Sequence, residues 1–164
     1  MKKEKWLVIN SIIAIMALIC VFTVYFNNSK RDINKLISEL ESAINKHDIE
    51  KIIELYPDYC KDDVIKYFSQ EKLDDFYNNV IVKDGEGINI QILNITDFDI
   101  SSCDNVKKQI ADDYEQDIVI EDYQLVQIKY HDSFSDSRLQ VIKIEGNYYL
   151  YFYGYIGSPM TYFH

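Results

Sequence analysis

The sequence predicts an α+β domain held to a membrane by one N-terminal transmembrane helix, with further helices packed on one face of a bent antiparallel sheet. Three observations carry this prediction. An uncharged run of 21 residues extends from Trp6 to Phe26; the apolar spacing is helical to about Val82 and becomes period two from Ile88; and a Gly146-Asn147 pair separates two alternating apolar segments.

The apolar run comes first. At ~1.5 Å per residue it spans about 30 Å, the thickness of a bilayer's hydrocarbon core. A cleaved secretory signal has a shorter apolar core and a small-x-small site, and Thr23-Val24-Tyr25-Phe26-Asn27 offers no such site. A lipoprotein signal around Cys20 is opposed by Ile19, where a small residue is needed, so Cys20 reads as a small apolar residue within the membrane. Lys2, Lys3 and Lys5 face Lys30, Arg31 and Lys35 across the span, and a five-residue tail stays inside more easily than a folded domain does. The expected organisation is a cytoplasmic tail over residues 1–5, the span over 6–26, a linker over 27–31 and an extracytoplasmic domain over 32–164 at the cell membrane.

Within that domain, Ile33, Leu36, Ile37, Leu40, Ala43 and Ile44 recur at helical spacing behind Asp32, and His47-Asp48 ends the helix. Ile49, Ile52 and Ile53 begin a short helix that stops near Tyr56, because Pro57 disfavours a helical residue before it. Helical spacing resumes through Val64, Ile65, Leu73, Phe76 and Val80, and Asp84-Gly85-Glu86-Gly87 is a turn. Ile88, Ile90 and Ile92 then alternate with polar residues until the phase slips to Leu93 and Ile95, the mark of a β-bulge. A helix over about 102–116 follows, with Ser101 and Ser102 as cap candidates. Strands are expected over about 118–131, 138–145 and 148–156, the last two joined tightly at Gly146-Asn147.

Charge narrows the partners. Setting aside Lys2, Lys3, Lys5 and Glu4 leaves 14 basic against 26 acidic residues, net −12. Such a surface repels nucleic acid and anionic lipid. The expected contacts are the membrane, through the N-terminal helix, and a homodimer or envelope-protein partner.

The opening helix over 33–44, the segment Ile49-Glu50-Lys51-Ile52-Ile53-Glu54-Leu55-Tyr56-Pro57 and the ending Val141-Ile142-Lys143-Ile144-Glu145-Gly146-Asn147-Tyr148-Tyr149-Leu150 resemble bacterial membrane-anchored members of the nuclear transport factor 2-like superfamily. The resemblance implies a cone of helices half-enclosed by a bent sheet. That superfamily includes enzymes, binding modules and scaffolds, so the fold leaves function open.

No motif supplies a catalytic residue, a metal set or a cofactor site. His47, His131 and His164 lack metal-ligand spacing, and Asp62-Asp63, Asp74-Asp75 and Asp112-Asp113 are adjacent helix positions that point apart. Cys60 and Cys103 form a disulfide or remain separate thiols; an oxidising location permits the first. The last strand places Tyr149, Tyr151, Tyr153 and Tyr155 on one face, as sheet residues under helices or as a binding surface. The expected function is a membrane-anchored extracytoplasmic binding module without catalysis. Its rivals are an enzyme using the cone as a pocket and a structural part of a conjugation or type IV secretion complex.

Overall fold

The computed structural model describes residues 14–16, 30, 32–67, 70–76, 87–130 and 137–152. The chain divides into two compact units, Met1–Ile33 and Asn34–His164. In the first, residues 14–16 are helical, with Ile15 57% and Met16 61% exposed. Among the described residues no helix is long and apolar enough to cross a membrane. The expected span over 6–26 lies, apart from residues 14–16, outside the described residues.

Helix α1 (residues 32–45) buries Leu36, Ile37, Leu40, Ala43 and Ile44, the stripe its apolar spacing marks out. It stops because His47 turns left-handed, at φ 55°. The His47 N–H then reaches the Ile44 carbonyl and the Asp48 N–H the Ala43 carbonyl, which closes the last turn as a Schellman motif. Asp48 also caps α2 (Ile49–Glu54) by accepting from the Lys51 N–H at 3.0 Å. Beyond Pro57, a 3₁₀ turn (Asp58–Cys60) leads into α3 (Lys61–Tyr67) and then α4 (Gln70–Phe76). Asp74 of α4 holds the His47 turn, with its Oδ1 3.1 Å from His47 Nδ1 and 2.9 Å from Gln70 Nε2. The expected continuation of helix toward Val82 lies outside the described residues.

The sheet is an antiparallel meander of β1 (Ile90–Asp97), β2 (Asp122–Tyr130), β3 (Ser137–Ile144) and β4 (Asn147–Leu150), in that spatial order. The phase slip in the sequence is a bulge. Ile92 pairs with Ile128 and Asn94 with Gln127, leaving Leu93 extra and 43% exposed. Because of that extra residue, Ile95 joins Ile90 and Ile92 on the face shared by Ile128 and Val126.

The β3–β4 turn is Glu145-Gly146, both left-handed at φ 50° and 80°, in place of the expected Gly146-Asn147. Moving the turn back one residue pairs Ile142 with Tyr149 and Ile144 with Asn147. Each partner changes by two positions, so every side chain keeps its face. The second strand starts at Asp122, four residues later than expected, and Ile118 and Ile120 instead pack as irregular chain against the cluster under α5.

Helix α5 (Ile100–Tyr114) corrects the expectation of a single helical layer. Its Val106 and Ile110 pack on Tyr123, Ile142 and Tyr151, and strand alternation puts those three on the face opposite Val126, Val141 and Leu150. On that second face Phe152 meets Tyr56 and Tyr67 edge-on, with centroids 6.2 and 5.9 Å apart. The segment between α2 and α3 crosses the β4 edge. The Leu55 carbonyl accepts from the Leu150 N–H at 2.9 Å, and Tyr59 packs against the α5 cluster.

The cap of α5 is Asp99, two residues before Ser101 and three before Ser102, the expected candidates. Its Oδ1 accepts from the Ser101 hydroxyl at 2.7 Å and from the Ser102 N–H at 2.8 Å. These bonds, led by the Ser101 hydroxyl, hold the carboxyl below its ordinary 3.8. A depressed folded pKa gives stability that is complete above the unfolded value and lost as pH falls through the folded one. Asp99→Asn caps without titrating. It is therefore expected to flatten the fall in melting temperature below about pH 4; an unchanged slope in thermal melts would disprove this role.

Candidate functional site

Among the described residues a groove of about 770 Å³ lies between α1 and the outer edge of β1, lined by Asn34, Ile37, Ser38 and Glu41 on the helix and by Asn89 and the strand residues Ile90 to Ile92. Its geometry follows from two matching periods. Four residues of helix rise ~6 Å and two of strand ~6.6 Å, so side chains at i and i+4 on α1 meet alternate backbone positions of β1. Asn45 takes the first position. Its Oδ1 accepts from the Ile88 N–H at 2.6 Å and its Nδ2 donates to the Ile88 carbonyl at 2.8 Å, as a neighbouring strand would. Glu41 takes the second, Oε2 accepting from the Ile90 N–H at 2.7 Å.

One turn further on, the α1 residues are Ile37 and Ser38, and this pattern of clamps stops beside Ile92. The sheet order gives β1 no outer neighbour among the described residues. Gly87 opens this edge: at φ +74° it adopts a conformation that L side chains rarely take, and a Cβ there would lie 2.9 Å from Asn45 Oδ1.

The tyrosine stripe lies elsewhere. Tyr151 is 4% exposed in the cluster under α5 and Tyr149 is half-buried against that cluster, so Tyr151 is core. Tyr153 and Tyr155 lie outside the described residues. Tyr123 stacks on Phe98 at 4.3 Å and meets Tyr151 edge-on at 6.0 Å. The hydroxyls of Tyr123 and Tyr151 donate to Gln140 Oε1 at 2.7 Å and Gln109 Oε1 at 3.3 Å. Tyr59 packs against Tyr114 at 5.0 Å. Burial raises both phenols, Tyr114 to about 12.

Cys60 and Cys103 are free thiols. Cys60 is buried and donates its S–H to the Pro57 carbonyl at 3.3 Å. Burial pushes its pKa up to about 12, and burial raises Cys103 as well, so neither is poised as a nucleophile. His131 and His164 lie outside the described residues. Asp63 pairs with Lys66 at 2.9 Å, and among the described residues no cluster of His, Cys, Asp and Glu could hold a metal ion.

No protein-family model, curated protein or solved structure matches the chain. The groove residues were not legible as a site. Glu41 and Asn45 fall outside the apolar stripe of α1, and their partners lie 49 and 43 residues away in sequence. The one available signal was their i, i+4 spacing beside the apolar stripe.

Proposed function

We propose that this chain is a single-pass membrane protein whose domain from residue 32 acts outside the membrane as a binding module, without catalysis. The observation that carries the reading is the groove where β1 keeps an open edge. Two further observations support it. Among the described residues the buried polar side chains are Gln124 and Ser137, so the interior is organised for packing; Leu40, Tyr56, Ile128, Leu139 and Phe152 are buried in the core. Ile15 and Met16, apolar and exposed on a helical stretch, suit a lipid environment.

The nuclear transport factor 2-like relationship belongs to the same proposal. Helices followed by a bulged, curving meander support it, and α5 on the opposite face departs from a simple cone.

External protease added to intact cells is expected to digest the domain, while the full-length protein stays in membranes through salt washing. A soluble form beginning near residue 28, lipid on Cys20, or a domain protected until lysis overturns the anchoring. Chemical crosslinking in the same cells is expected to join the domain to a specific envelope protein; absence of any adduct counts against a binding module.

A further inference from the structure

We propose that the unclamped part of the β1 edge, at Ile92 and Ile95, receives an extended basic segment of a partner protein as a fifth strand seated against α1. The proposal rests on the binding-module reading and deepens it by naming the site and the chemistry of what binds.

The ladder pattern selects the atoms. The Ile90 N–H points away from β2 toward Glu41, so on the same strand the Ile92 N–H points outward too. The bulge at Leu93 reverses the alternation. Phe98 then donates inward to the Tyr123 carbonyl, which makes Asn94 and Thr96 inward and Ile95 outward. The outward amides of Ile92 and Ile95 donate no hydrogen bond to the described residues. Among the described residues other edge positions are covered: the Leu55 carbonyl takes the Leu150 N–H of β4, and Asn45 and Glu41 take the amides at the start of β1. An uncovered stretch that follows a clamped one and opens at Ile92 into a groove is the geometry that strand addition uses.

Charge selects the occupant. Among the described residues Glu41 is the one ionisable residue lining the groove, and Oε2 is the oxygen that accepts from Ile90. Asp97 ends the strand. Lys129 pairs with Gln91 one strand inward and does not line the groove, and Lys35 lies 3.7 Å from Glu39. A second copy would bring another surface of net −12 against this one, so the complementary occupant is a basic segment. An apolar residue of that segment would lie beside the half-buried Ile92, with lysine or arginine alternating toward Glu41.

The test uses full-length protein in a neutral detergent and an eight-residue capped peptide alternating valine and lysine, with its valine–glutamate counterpart as control. The lysine peptide is expected to bind about tenfold or more tighter, to weaken with salt, and to slow amide exchange at Ile92 and Ile95. Glu41→Gln keeps an acceptor for Ile90 and is expected to weaken binding about three- to tenfold. Ile92→Pro should abolish it, and Gln91→Lys, changing an exposed side chain, should weaken it with the fold intact.

Equal binding of the two peptides, no binding, or protection away from β1 overturns the proposal. So do amides already protected without peptide in a particle of doubled mass, since a second copy then holds the edge. If the peptides fail while an envelope protein still crosslinks to the domain in cells, the groove assignment falls and the module stands; failure of both removes both.

Discussion

Tyr151→Ala is expected to remove about 3–5 kcal/mol of stability, the cost of truncating a large buried aromatic, and so a large fraction of the ~5–15 kcal/mol that holds an ordinary domain together. Tyr151 is 4% exposed, contacts Tyr123 edge-on, and lies in the cluster that α5 closes with Val106 and Ile110. Its hydroxyl reaches Gln109 on α5, so truncation also removes a link between sheet and helix. Tyr149→Ala, on the same face but half-buried, should cost less, about 1–2 kcal/mol. Denaturant unfolding of the full-length protein in detergent measures both. Near-wild-type stability for Tyr151→Ala would put this face at the molecular surface and remove α5 from it.

The tyrosines also mark what the sequence could encode. Spacing states which side of an element is apolar, so the buried stripe of α1 and the bulge at Leu93 were legible: Leu36, Leu40 and Ile44 all fall where 3.6-residue spacing puts them. Spacing does not state what covers an apolar side. Ile142 and Ile144 alternate with Leu139 and Val141 so that β3 carries apolar residues on both faces, which demands two layers without saying that α5 supplies the second. The hairpin turn missed by one residue because Glu145 accepts a left-handed φ that Asn more often takes. The Gly146 N–H is bonded by Glu121, a residue 25 positions away that local turn chemistry cannot see. The groove was illegible for the same reason: its clamps are contacts between a helix side chain and a distant backbone amide.

That dependence of the β1 edge on distant side chains makes Asn45 the second large effect expected. Asn45→Ala leaves both the N–H and the carbonyl of Ile88 without their partner, at a residue only 4% exposed. Each buried backbone group left unsatisfied costs about 1–3 kcal/mol, so a loss of about 2–4 kcal/mol is expected, with amide exchange at Ile88 accelerating first. Gly87→Ala is expected to destabilise by two routes. The new Cβ meets Asn45 Oδ1 at 2.9 Å, and alanine at φ +74° bears the left-handed penalty of about 1–2 kcal/mol. Only the first route passes through Asn45. In the double variant the clash is gone and the backbone penalty remains, so the two changes should fall short of additivity by about 0.5–3 kcal/mol, the range for residues in direct contact. Strict additivity in a double-mutant cycle would mean that Asn45 does not hold the strand through this contact. The start of β1 would then owe its position to Glu41 and the sheet alone, and the boundary between the clamped and open parts of the edge would no longer be set by α1.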